Sequence, residues 1–327
     1  MSKISSWIRI IVLILVAITV GCSKLPEKGS NNVDGEQKFL TIATGGVSGP
    51  YYTIGGALAK VYKEKLGYNA TVQSTDGSVE NVNLLKKHKA DLAFVMSDAA
   101  SFALKGQENF KISGPTQKFK AVAGLYFNYV QIVTLKENQI NSVYDLKGKR
   151  VGVGAPNSGV EVNARMILGE HGITYNELKP EYLSYNEAIE QLKNKTIDAA
   201  FVTSGLPNNA VLELQRLKEV MIVPIQPADV DQLIKRFPFF EKAEIPTAVY
   251  QNVSPVPTVA IRNILLVRSD LKDDQVYKIT KTFFESLDVV QKAHQAANQI
   301  NRKEAGKGLV VPLHPGAKKY YKENGDQ

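Results

Sequence analysis

The chain has 327 residues, 44 % apolar and 22 % charged, with 14 Tyr and 12 Phe, which is material for one large or two ordinary packed domains and excludes a disordered polymer. Its net charge of +8 comes from 40 Lys+Arg against 32 Asp+Glu, only 8 of the basic residues being Arg; none sits in a run longer than two. That is a solvated surface, not an arginine-rich nucleic-acid clamp, and the single Cys excludes a disulfide framework and any thiolate metal cluster.

The chain begins with Lys3 and Arg9 and then an apolar run, Ile10 to Val20. Such a run falls short of the about 20 residues that span a bilayer, but it suits the core of a secretory signal. Gly21-Cys22 at its end resembles a bacterial lipobox, with Thr19 where Leu is usual three residues before the Cys. Residues 1–21 are therefore expected to be a lipoprotein signal peptide and Cys22 the lipidated anchor; a plain signal peptide with an incidental Cys is the other reading. Residues 22–38 are polar, rich in Gly and Asn and aperiodic, as in a flexible tether.

From residue 39 strands and helices alternate. Phe39–Thr44, Ala70–Ser74 and Asp91–Met96 read as strands, with helical spacing at Ile54, Ala57, Leu58 and Val61 and again over Val79–Lys87. The same order returns: strands at Lys149–Gly154, Glu181–Leu183 and Ile197–Val202, and helices from Val160 to Leu168 and from Glu187 to Lys193. At an offset of 107 residues Glu80 matches Glu187, Leu85 Leu192, Lys86 Lys193, Asp91 Asp198, Phe94 Phe201 and Ser97 Ser204. Two lobes of one βαβαβ architecture follow, each with parallel strands between helices. The long runs Leu125–Leu135 and Val259–Val267 carry the chain out of lobe one and back, and Asp273–Ala297 reads as one amphipathic helix. Lobe one is thus discontinuous, 39–130 plus 260–327, and lobe two is 131–259. The Pro-rich stretch from Pro246 to Pro257 is a loop leading to the return strand.

Ligands of open parallel sheets bind beyond the carboxyl ends of the strands, near helix N-termini. Four such corners are rich in Gly and hydroxyls: Gly45–Ile54 and Ser97–Ser101 in lobe one, Gly154–Glu161 and Thr203–Asn208 in lobe two. Ser48, Thr75, Ser97 and Ser158 read either as helix N-caps or as ligand contacts. One of Tyr51 and Tyr52 is expected to wall the pocket. Glu161 is either a helix-dipole partner or a site residue, Asp98 reads as structural, and Arg262 would reach the cleft only if its strand turns that way.

Enzyme motifs are missing: no G-x-G-x-x-G after the first strand, no phosphate loop ending in G-K-[ST], no G-x-S-x-G elbow. The four His (His88, His171, His294, His314) have no partner at metal-ligand spacing. No catalytic residue, metal or cofactor is expected.

The segments ATGGVSGPYYTIGGALA (43–59), TDGSVENVNLL (75–85), ADLAFVMSD (90–98), DLKGKRVGVGAPNSGVEVNAR (145–165), PEYLSYNEAIEQLKNKTIDAAFV (180–202) and VPLHPGAKKYY (311–321) resemble the TAXI-type solute receptors of tripartite ATP-independent periplasmic (TRAP) transporters. The resemblance implies a two-lobed Venus-flytrap of periplasmic-binding-protein type II, with two sheets joined by hinge strands. It also implies a non-enzymatic, exported receptor, expected to be a monomer, that delivers a small organic acid of the glutamate or 2-oxoglutarate type to a TRAP permease. By that resemblance the ligand contacts are Gly46, Ser48, Tyr51, Ser97, Asn157, Ser158, Gly159 and Thr203. None of these corners holds an Arg, so an acid would rest on helix N-termini, hydroxyls and Tyr. A receptor for an ATP-driven importer is the alternative within the same class.

Overall fold

The computed structural model describes residues 38–251 and 254–326. The expected signal peptide (1–21), Cys22 and nearly all of the expected tether (22–38) lie outside the described residues. Strand β1 (Phe39–Ala43) opens lobe one, followed by helix α1 (Pro50–Leu66). Pro50 suits a first helical turn because its missing N–H would be unpaired there anyway, and Gly67 at φ 68 ends the helix in the left-handed conformation that glycine takes without strain. Next come β2 (Asn69–Gln73), α2 (Ser78–Lys86), β3 (Leu92–Met96) and α3 (Ser97–Lys105). β1 runs parallel to both β2 and β3, and every residue of β3 is buried, as in a strand covered on both faces.

The 17-residue strand β4 (Phe119–Leu135) leads into lobe two. There β5 (Arg150–Gly152), α4 (Gly159–Glu170), β6 (Lys179–Glu181), α5 (Tyr185–Lys193) and β7 (Ala199–Ser204) repeat the scheme, with β5 parallel to β6 and β7. Then follow α6 (Asn209–Gln215), β8 (Val220–Val223), α7 (Pro227–Arg236), β9 (Phe240–Ile245) and α8 (Thr247–Tyr250). β10 (Val256–Arg268) returns to lobe one, closed by α9 (Asp273–Glu285), α10 (Leu287–Ala293), α11 (Arg302–Ala305) and α12 (Pro315–Glu323).

The fold is mixed α/β of the periplasmic-binding-protein type II kind, but its strands form one ten-stranded sheet rather than two separate ones. The order is β2-β1-β3-β10-β4-β7-β5-β6, with β8 on β4 and β9 on β10. The sheet stays continuous because β4 and β10 are long enough to serve both lobes. β4 pairs with β10 from Phe119 to Tyr129, then with β7 from Tyr129 to Thr134. β10 pairs with β9 over Val256–Ile261 and with β3 over Asn263–Val267.

The 107-residue echo has a physical basis. Asp91 Oδ2 accepts the Thr41 backbone N–H at 2.8 Å, and Asp198 Oδ2 accepts that of Arg150 at 2.8 Å. Each carboxylate ties the entry of its lobe's third strand to the first, and each also meets an Arg, Arg268 at 3.4 Å and Arg150 at 2.7 Å.

Three elements differ from the expectation. The helix expected over Asp273–Ala297 breaks at Ser286 (φ −122, ψ 22), which ends α9 and begins α10. The bend lets Phe283 and Val290 enter the same lobe-one core, where both are fully buried. The strand expected at Glu181–Leu183 lies at Lys179–Glu181, leaving Leu183 in a loop. β9, an edge strand, escapes a hydrophobicity reading because charged residues occupy its exposed positions, Glu241, Lys242 and Glu244. No described helix is long and apolar enough to cross a membrane.

Candidate functional site

A cavity of about 60 Å³ lies where the carboxyl ends of the six parallel strands face each other. Lobe one contributes Gly45, Gly46 and Gly49–Tyr51 after β1, Thr75–Ser78 after β2, and Met96 at the end of β3. Lobe two contributes Ala155 and Ser158–Val160 after β5, Leu183–Tyr185 after β6, and Thr203 and Ser204 from β7, while Asn128 comes from the shared β4. Four helices start in this wall, α1 at Pro50, α2 at Ser78, α4 at Gly159 and α5 at Tyr185. Helix N-termini carry unpaired N–H groups and the positive end of the helix dipole, so their convergence favours an anionic group without a cationic side chain.

Hydrogen bonds from the shared strands hold the wall. The buried Tyr51 hydroxyl donates to Asn263 Oδ1 at 2.5 Å, and Asn263 Nδ2 donates to Asn128 Oδ1 at 2.9 Å. Burial pushes the Tyr51 phenol well above its ordinary range, so it stays a neutral donor. Opposite it the Tyr185 hydroxyl donates to the Thr203 carbonyl at 2.7 Å. Thr203 is 1 % exposed, and its buried hydroxyl has no partner among the described residues.

Of the residues expected at the site, Gly46, Tyr51, Ser158, Gly159 and Thr203 line this cavity. Ser158 is also the N-cap of α4, its Oγ accepting the Glu161 N–H at 3.0 Å. Ser48 lines a neighbouring open groove, with Thr75 and Asp76. Ser97, the first residue of α3, is buried away from the cavity wall. The Asn157 side chain belongs to another groove; the residue acts through its backbone, which at φ 57 turns its carbonyl to accept the Glu80 N–H of lobe one at 3.1 Å. Tyr51, not Tyr52, reaches the cavity. Arg262 turns away from it to bond the Lys307 and Glu304 carbonyls at 2.8 and 2.9 Å, satisfying the end of α11. Glu161 is occupied by Arg165 at 3.1 Å and the Tyr175 hydroxyl at 3.0 Å.

Sequence reasoning missed the corners after the second strand of each lobe, with Asp76, Gly77, Ser78, Ser184 and Tyr185. The signal was the echo itself, since Ser78 and Tyr185 stand 107 residues apart as the first residues of equivalent helices. Among the described residues no group of acids and His could hold a metal ion.

The lobes are shut on each other. Asn163 Nδ2 of α4 donates to Asp98 Oδ2 of α3 at 2.6 Å, both residues being fully buried, and Arg165 bonds Glu108 at 2.6 Å nearer the surface. Burial pushes the Asp98 carboxyl up to about 7, against hydrogen bonds from the Ala99 N–H and Asn163 that favour the charged form. Gly159 faces Met96 and Ser78 across the closed cleft so tightly that a Cβ would overlap the Met96 methyl and lie 3.1 Å from Ser78 Oγ. Its φ is not in the left-handed region, so close approach is what requires glycine there.

Residues 42–325 match the NMT1-like family, and the chain belongs to it. Its fold is similar to that of MatC from Rhodopseudomonas palustris with bound malate, at 13 % identity over 88 % of this chain and 96 % of that one, with a TM-score of 0.58. It is also similar to PhnD1 from Prochlorococcus marinus in complex with methylphosphonate, at 11 % identity over 89 % and 100 % of the two chains, TM-score 0.53. A third is the binding component of an ABC phosphonate transporter from Pseudomonas aeruginosa, at 13 % identity over 80 % and 79 %, TM-score 0.51.

Two outcomes follow from the closed geometry. A carboxyl raised by burial binds its proton more tightly when folded, so the stability it contributes is present below its unfolded value and is lost as the pH rises to about 7. Urea unfolding from pH 4 to 8 is expected to show that loss, roughly 2–4 kcal/mol. Asp98→Asn should remove it, its amide N–H finding the partnerless Asn163 Oδ1. Parallel pH profiles for the two proteins would reject this account. Gly159→Val should hold the lobes apart by overpacking, at about 1–3 kcal/mol, and scattering should give a larger radius of gyration than wild type; a superimposable profile contradicts it.

Proposed function

We propose that this protein is an extracytoplasmic solute-binding receptor that captures a small organic acid between its lobes and delivers it to a membrane permease. The observation that carries this reading is the cavity at six strand ends, where four helices begin. Binding of a solute there would hold the lobes together. The malate and methylphosphonate in two similarly folded proteins support an anionic ligand.

For the permease, an ATP-driven importer is the reading favoured by the company the fold keeps, which includes the ABC phosphonate receptor and a putative L-cystine ABC transporter from Listeria monocytogenes at 15 % identity and TM-score 0.50. The TAXI-like motifs favour a TRAP permease as the second reading. Cys22, lipidated, would hold the receptor at the outer face of the membrane through the tether. The receptor needs no catalytic group and no cofactor.

Uptake in cells separates the two permeases. Import of the solute should depend on this gene and should stop when ATP is depleted while the ion gradients are clamped. Uptake that survives ATP depletion and fails on collapse of the ion gradients identifies a TRAP system instead. Uptake unchanged by deleting the gene would overturn the receptor reading.

A further inference from the structure

The lobes meet along a seam that starts at the cavity wall, where Met96 faces Gly159, and continues between α3 of lobe one and α4 of lobe two. Asp98 and Asn163 face each other across it, both 0 % exposed, with Asn163 Nδ2 donating to Asp98 Oδ2 at 2.6 Å. One turn further along α3, the Phe102 ring meets that of Phe239 from lobe two edge-on, with centroids 5.5 Å apart. The contact that bonds the carboxyl thus also shields it from water, and it brings no cation. The charged side chains of the surrounding elements are engaged elsewhere. Glu80 of α2 holds the Asp76 N–H, and Lys86 of the same helix meets Ser113. Glu108, just after α3, shares Arg165 of α4 with Glu161, and Glu170 of α4 pairs with Arg236. On β10, Arg262 bonds two carbonyls and Arg268 pairs with Asp91 and Asp270. Tyr51 of α1 is the titratable group coupled to Asp98, and its burial keeps it neutral. The other half of the Asn163 amide, Oδ1, is buried with no partner among the described residues.

We propose that this seam is a proton-coupled latch: the lobes shut on a neutral Asp98 carboxyl, taking one proton from solvent, and part when it ionises. The latch adds controlled release to the receptor reading, on which only the binding arm of the test rests. An ionised carboxylate buried at a seam with no cation carries a desolvation cost that two neutral N–H donors offset only in part. A carboxylic acid avoids that cost, and its O–H supplies the donor that Asn163 Oδ1 lacks. Burial accordingly holds the carboxyl up at about 7 in the shut form. Once lobe two withdraws, water reaches the group and it returns toward the ordinary carboxylate value of about 4. Closure is therefore linked to proton uptake between those two values. It is favoured on the acid side and weakens as the pH rises through about 7.

Small-angle scattering on the full chain, freed of retained solute, reads the latch without any ligand. From about pH 5.5 to about pH 8.5 the radius of gyration of wild type should grow, while Asp98→Asn, whose amide stays neutral, should remain compact. Calorimetry with glutamate and 2-oxoglutarate, which keep their charge over that range, is the binding arm. A probe that binds wild type should do so about tenfold to thirtyfold more weakly at the higher pH. Its heat should differ between buffers of unlike ionisation enthalpy, because a proton is taken up; in Asp98→Asn both effects should vanish. A wild-type radius that does not change with pH overturns the latch, and so does expansion of Asp98→Asn in step with wild type. Binding that is equally tight at both pH values, with no proton uptake, overturns the latch and leaves the receptor reading standing. A radius that grows with pH while neither probe binds supports the latch and removes these two acids from the receptor reading. The wild-type radius and proton uptake need no variant, so they decide the matter even where Asp98→Asn fails to fold.

Discussion

Everything in this molecule depends on two antiparallel strands that belong to both lobes. β4 and β10 pair with each other and then diverge to different neighbours, β3 and β9 flanking β10 and β7 joining β4. A backbone ladder is stiff along its strands and tolerant of twist between them. The two parallel half-sheets are therefore held with their carboxyl edges facing, while their separation is set by what lies between. The strands also supply the site with Asn128 directly and Tyr51 through Asn263. On the proposed reading, hinge and binding wall are one hydrogen-bonded network, which would couple occupancy of the cavity to the angle between lobes.

On the proposed reading, the cavity would hold an acid without an Arg in its wall. An ion pair buried between lobes would have to be desolvated at each closure, and that penalty often exceeds the attraction gained. Helix N-termini avoid most of it, because the peptide dipoles of α1, α2, α4 and α5 are fixed in place before any ligand arrives. The closing contacts follow the same economy. They are mostly neutral or singly charged hydrogen bonds, Asn157 to Glu80 through backbone and Asn163 to Asp98, with the Arg165–Glu108 pair kept nearer the surface. On the proposed reading, a latch built from contacts of this strength would open on an energy scale of a few kcal/mol, within reach of one bound small molecule.

Much of this was legible in the sequence, for identifiable reasons. β3 and β7 are continuous apolar runs, and the paired Asp91 and Asp198 repeat because the same backbone N–H needs an acceptor at the same place in each lobe. Gly-rich corners announced Gly46 and Gly159. The failures are as physical. Ser97 and Arg262 were legible as polar residues near the right strands, but a single sequence does not reveal that a helix turns one inward and a carbonyl cluster captures the other. Ser286 broke a helix whose hydrophobic spacing runs straight through it. Apart from Thr75, the corners at Asp76–Ser78 and Ser184–Tyr185 were overlooked because they follow the most polar, least regular strands, β2 and β6.

The central claim is that the space between the lobes is a solute site and not a packing defect. Native mass spectrometry of the full chain, purified without denaturation from cells growing on a rich mixture of solutes, tests it most directly. The account predicts one small molecule per chain, released on unfolding and regained when the refolded protein is returned to the same mixture. A chain that carries no added mass before unfolding, and gains none after refolding, would contradict it.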